Sequence, residues 1–187
     1  MTILVEPYDR EWPHQFAVIA LELKRALQGI DIISIEHVGS TSVPGLHAKP
    51  ILDIDVIVTR ENVMPAIGAL ERNLEYENKG EWGVPERWAL RKPSALPERN
   101  LYVCVEGCQS LRNHLGVRDV LRADPALRDE YGRVKMELST KYTDVNEYCE
   151  AKNDILEKIL NRAGMTEGDR RAVKLANTLN PSADVLT

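Results

Sequence analysis

The apolar residues Phe16, Ile19, Leu23 and Leu27 recur at three- and four-residue steps, with Pro13 in the first turn and Gly29 beyond the end. That spacing predicts an amphipathic helix. "DIISIEHVG" follows, rich in β-branched residues and closed by Gly39, and predicts a short strand. In "STSVPGLHAKP" the Pro44-Gly45 pair occupies the centre of a type II turn, and Pro50 forces Lys49 into an extended conformation. "ILDIDVIV" then alternates with period two: Leu52, Ile54, Val56 and Val58 form one face, Ile51, Asp53, Asp55 and Ile57 the other.

Further on, "ENVMPAIGALERN" predicts a helix despite Pro65, and residues 74–107 predict strands interrupted by Gly83, Pro85, Pro93 and Pro97, with "RNLYVCV" the clearest. From Ser110 the spacing is helical, with one break at Asp124-Pro125 and a second helical run over 145–164. The tail beyond Gly164 is polar and is expected to fray. The order predicts an α/β (α+β) domain over 1–164, with a mixed sheet, flanking helices and a helical C-terminal part, followed by a polar extension over 165–187.

The 187 residues, 43% hydrophobic and 28% charged, have the composition of an ordinary globular domain. No apolar run is long enough for a bilayer, and the N-terminus lacks a signal-peptide pattern, so the expectation is a cytoplasmic protein without a membrane partner. Cys104, Cys108 and Cys149 match no zinc spacing and are expected as thiols. A net charge of −5 argues against nucleic acid as a partner and leaves a nucleoside triphosphate or another small phosphorylated ligand, met by local Arg and Lys.

Asp53 and Asp55 change the picture. Two carboxylates at i and i+2 on a strand project the same way, about 6–7 Å apart at the backbone. Either they hold a hard cation such as Mg²⁺, or neighbouring arginines such as Arg87 or Arg91 satisfy them without metal. Gly39 and Ser40 offer a close backbone approach, an amide and a hydroxyl to a phosphate.

"GS", twelve residues, then "DID" resembles the signature of the nucleotidyltransferase fold. The stretches "HVGSTSVPGLHAKPILDIDVIV", "GEWGVPERWALRK", "RNLYVCVEGCQSLRNHLGVRDVLR" and "YCEAKNDILEKIL" resemble the GrpB family over residues 4 to 163. The resemblance implies Gly39, Ser40 and Thr41 at nucleotide phosphates, and Asp53 and Asp55 as catalytic metal ligands for Mg²⁺, with no organic cofactor. It also implies a link to coenzyme A chemistry, because such domains occur on dephospho-CoA kinases. His37, Lys49, Arg118 and Arg122 are further nucleotide-binding candidates, each with an ordinary structural alternative: a satisfied strand-end histidine, a solvated loop lysine, solvated helix charges. The wider superfamily places a third carboxylate on a later strand. Here that strand offers Asn100 and Tyr102, so Glu106, then Glu36, is the expected substitute. Trp82 and Trp88 are read either as base-stacking groups or as core. The expected activity is Mg-dependent nucleotidyl transfer to an acceptor; the alternative is a non-catalytic nucleotide- or CoA-like ligand-binding module acting with a partner enzyme.

Overall fold

The computed structural model describes residues 3–179. It divides into two compact units. One comprises Arg10–Val38 and Ile51–Arg112; the other comprises the chain up to Asp9, Gly39–Pro50, and the chain from Asn113 onward.

The first of these units is built on a five-stranded sheet: β1 (Ser34–Val38), β2 (Leu52–Val58), β3 (Glu77–Asn78), β4 (Arg87–Arg91) and β5 (Arg99–Val105), in the order β1-β2-β5-β4-β3. Only β2 and β5 run parallel; β1 with β2, β4 with β5 and β3 with β4 are antiparallel, so the sheet is mixed. Helix α1 (Trp12–Ala26) contacts α2 (Val63–Leu74), and α2 contacts β5. Pro65 is accommodated because it lies in the first turn of α2, where backbone N–H groups have no intrahelical acceptor.

All seven residues of β2 are buried, as expected for a strand flanked on both sides. Leu52, Ile54, Val56 and Val58 lie on the same face as His37, whose ring stacks on Phe16 of α1 with centroids 4.8 Å apart. The apolar half of the strand thus faces the helix layer, and the aspartates point away from it. Burial of a Leu- or Val-sized side chain contributes about 1.5–3 kcal/mol, and the all-aliphatic side of β2 anchors this core.

In the other unit, α3 (Gln109–Ala123) continues from Asn113 and is followed by α4 (Pro125–Lys141), α5 (Val145–Ala151), α6 (Asn153–Arg162) and α7 (Glu167–Leu179). The break between α3 and α4 falls where Asp124 accepts a hydrogen bond from the Leu127 amide at 3.0 Å and Pro125 opens the next helix. The helical run predicted over 145–164 divides at Lys152 into α5 and α6. Leu121, Leu127, Tyr131, Ile155, Ile159 and Leu160 share one apolar cluster, joined by Val43 and Leu46 from the 39–50 loop and by Val173 from α7. A helix therefore occupies 167–179 within the stretch read from sequence as a polar extension; its last residues lie outside those described. No helix among the described residues is long and apolar enough to cross a membrane.

Candidate functional site

Strand pairing fixes which side chains meet on the aspartate face. Asp53 is level with Asn100, Asp55 with Tyr102, and Cys104 with Arg87 on the far side of β5; on the near side Glu36 is level with Asp55. Paired residues on adjacent strands point the same way, so Glu36, Asp53, Asp55, Asn100, Tyr102 and Arg87 share this face, with Arg91 four residues along β4. Asp53 is 4% exposed and Asp55 fully buried. Asn100 Nδ2 donates to Asp53 Oδ1 at 2.7 Å, a charge-assisted bond that favours the ionised carboxylate.

Arg87 is also fully buried, and none of Nε, Nη1 and Nη2 makes a hydrogen bond to either aspartate or to any other acceptor among the described residues. It lies instead over the Tyr102 ring, with Cζ 4.5 Å from the centroid. Burial pushes the Tyr102 hydroxyl up to about 12, although the charges of Arg87 and Arg91 pull the other way. The Cys104 thiol is pushed up as well, first by its hydrogen bond with Cys108 and then by burial, so it stays a neutral core thiol. All three cysteines are buried thiols outside any disulfide.

The donor set fits a hard divalent cation in chemistry, with two carboxylates on one face and an amide holding the first in orientation. Among the described residues no group of three or more His, Cys, Asp or Glu side chains converges to hold a metal. Glu106 is exposed, past the end of β5 and four residues beyond Tyr102. At about 3.3 Å per residue it is about 13 Å farther along the strand than Asp55 requires. Glu36, on the adjacent strand and level with Asp55, is the nearer acidic residue. His37 does not join the aspartates; alternation on β1 turns it to the helix-covered face.

The Gly39–Pro50 loop belongs to the other unit. Gly39 has φ 67 and ψ −173, a conformation open in practice only to glycine, and it launches a 3-10 turn over Ser40–Ser42. Ser42 Oγ donates back to Gly39 O at 2.6 Å. The predicted type II turn is present, with Leu46 N donating to Val43 O at 3.1 Å and Gly45 at φ 83.

Basic side chains from the helices hold this loop. Arg122 donates from Nε and Nη2 to Ser42 O at 3.1 and 2.8 Å, Arg128 Nη1 donates to Pro44 O at 3.1 Å, and Lys135 Nζ donates to Ser40 Oγ at 2.7 Å. Thr41 is buried, and Arg118 pairs with Asp119 at 2.8 Å. Lys49 and Lys152 both lie against the Tyr148 ring, at 5.3 and 4.6 Å from its centroid. Lys135 is not among the residues that the sequence motifs single out. Its signal is there: Leu127, Tyr131 and Lys135 are spaced by four, so a lysine occupies a core position of α4, where it is 3% exposed. Trp82 packs near Arg91, 5.3 Å from Cζ to the ring centroid.

Comparison with known proteins gives consistent matches. The profile described as GrpB protein matches residues 2–162. The UPF0157 protein BH1888 of Halalkalibacterium halodurans is 35% identical over 170 residues, covering 88% of this chain and 84% of that one. The crystal structure of conserved protein GrpB from Enterococcus faecalis superimposes with a TM-score of 0.75 at 33% identity, covering 86% of this chain and 96% of the other. A dephospho-CoA kinase of Mycolicibacterium paratuberculosis is 33% identical over 154 residues, which are 69% of this chain but 38% of that protein.

Proposed function

The chain belongs to the GrpB family, and from that footing we propose that it catalyses magnesium-dependent transfer of a nucleotidyl unit from a nucleoside triphosphate to an acceptor hydroxyl. The observation that carries this reading is the pair Asp53 and Asp55, buried on one sheet face, with Asn100 holding the first carboxylate in orientation. Two buried carboxylates on one strand face are a donor set that hard cations select. Bound magnesium would polarise the α-phosphate and offset charge developing on the leaving pyrophosphate.

The residues have separate tasks. Asp53 and Asp55 supply oxygen ligands, and Asn100 holds the Asp53 carboxylate in place. The Gly39–Ser40 loop enters through its sequence spacing to the aspartates; its backbone N–H groups and the Ser40 hydroxyl are suited to phosphate oxygens. In the transfer the acceptor oxygen bonds to the α-phosphorus as the bond to the bridging oxygen of the β-phosphate breaks. The acceptor proton passes to solvent or to a nearby carboxylate, for which Glu36 is the better placed.

A second reading is a non-catalytic module that binds a nucleotide or CoA-like ligand beside a partner enzyme. It is favoured by Asn100 standing where the superfamily pattern has a third carboxylate, and by the likeness to part of a dephospho-CoA kinase. Manganese uptake followed by water-proton relaxation, with a nonhydrolysable triphosphate present, tests the shared premise. The wild type should take up the ion and Asp55→Asn should not; equal uptake by both contradicts it. Pyrophosphate release on adding a small-molecule extract then separates the transferase from the binding module.

A further inference from the structure

Arg87 is fully buried at the start of β4, and its three guanidinium nitrogens meet no acceptor among the described residues. A guanidinium carries five N–H donors in one plane and does not lose its charge in a protein. The Tyr102 ring beneath it attracts the cation but leaves those in-plane donors unsatisfied. Burying a charged donor in that state is strongly unfavourable, and apolar replacements of buried ion-pair residues are often neutral or stabilising. Core packing alone gives no reason for an arginine at this position.

Arg91, which is hydrogen-bonded to the Tyr102 side chain, keeps one unsatisfied donor beside it. It is half-buried, its Nη1 is buried without an acceptor, and its Cζ lies 5.6 Å from the same Tyr102 ring. Two guanidiniums thus share one aromatic platform. Like charges so placed repel, and oxygens of a single anion, placed between them, would satisfy both. Carboxylate and phosphate are the groups whose geometry matches the guanidinium fork. Strand order puts β4 two strands from β2, about 10 Å away, so this place lies beside the aspartate pair rather than on it.

We infer that Arg87 and Arg91 form an oxyanion subsite on the aspartate face, which takes a carboxylate or phosphate group of a small ligand. The oxyanion meets half-buried Arg91 first and ends against Arg87, stacked on Tyr102. The subsite stands without the metal; only its assignment to the acceptor, which would make the acceptor an acidic small molecule, rests on the nucleotidyl-transfer reading.

Calorimetric titration with inorganic phosphate and with succinate, in chelator-treated buffer, tests this on the full chain. The wild type and the Asp53→Asn/Asp55→Asn variant should both bind one of the probes, and the probe that binds identifies the anion class. Arg87→Met and Arg91→Met should weaken it on the order of tenfold or more, with Arg87→Lys in between because it keeps charge but loses the fork. In urea, Arg87→Met should be at least as stable as the wild type, which a structural arginine would not allow. Absence of binding by the wild type, or undiminished binding by Arg91→Met and Arg87→Lys, overturns the inference. Failure of the metal reading looks different: probe binding is retained while Mg²⁺-dependent nucleotide binding is missing.

Discussion

Replacing Asn100 by aspartate puts a third carboxylate where an amide now donates to Asp53 Oδ1 at 2.7 Å. With charge centres about 4 Å apart and an effective dielectric of about 20, the two carboxylates would repel by about 4 kcal/mol. The lost charge-assisted hydrogen bond adds about 1.5–3 kcal/mol. A lower-energy route exists, in which the pair retains one proton and the protonated member donates to the other. Keeping an ordinary aspartate neutral at pH 7 costs about 4 kcal/mol, at about 1.4 kcal/mol per pH unit, and that sets the ceiling.

The sign follows from proton binding. In Asn100→Asp the folded state holds a proton that the unfolded state releases above about pH 4, so stability is lost as pH rises. The deficit relative to wild type should be small near pH 4 and reach about 4 kcal/mol by pH 7. Urea unfolding in chelator-treated buffer across that range measures it. Magnesium should then restore stability, by about 2.7 kcal/mol at a hundred times its Kd and by more at higher concentrations. A deficit that does not grow with pH would refute the Asn100–Asp53 geometry, and one untouched by magnesium would refute the reading of this face as a cation site.

Tyr102, with its hydroxyl raised to about 12, should show no phenolate absorbance in the folded protein at pH 10; because the unfolded chain ionises there first, stability should fall by about 3 kcal/mol as pH rises from about 10 to about 12. Ser40→Ala removes the acceptor that Lys135 Nζ reaches at 2.7 Å and should cost about 1–3 kcal/mol in chemical denaturation, whereas an unchanged midpoint would show that contact to be idle. Asp124→Ala deletes the side-chain cap of α4 and should lower stability by about 1 kcal/mol in thermal melts.

What could be read from the sequence was what depends on near neighbours. Period two put Asp53 and Asp55 on one face of β2, and Pro44-Gly45 specified the turn that the backbone adopts. Partners set by long-range pairing were not legible. Nothing local says that β2 runs parallel to β5 with Asp53 level with Asn100, or that Glu36 rather than Glu106 comes beside Asp55. His37 illustrates the limit: beside Gly39 the sequence allows either a phosphate contact or a satisfied strand-end histidine, and only register with Ile54 shows that it turns to the helix-covered face. Arg122, which the sequence leaves open between a nucleotide contact and a solvated helix charge, directs its fork to the Ser42 carbonyl. Arg87 is the converse case, since a sequence shows a charge but not whether folding supplies its acceptors.

The most direct measurement is calorimetric titration of the protein with ATP, GTP, CTP and UTP, each with and without Mg²⁺, beside the Asp53→Asn/Asp55→Asn variant. Binding of at least one triphosphate that requires Mg²⁺ and disappears in the folded variant is the predicted result. Absence of binding to all four, or binding indifferent to both metal and variant, would contradict the assignment of this face to a metal nucleotide.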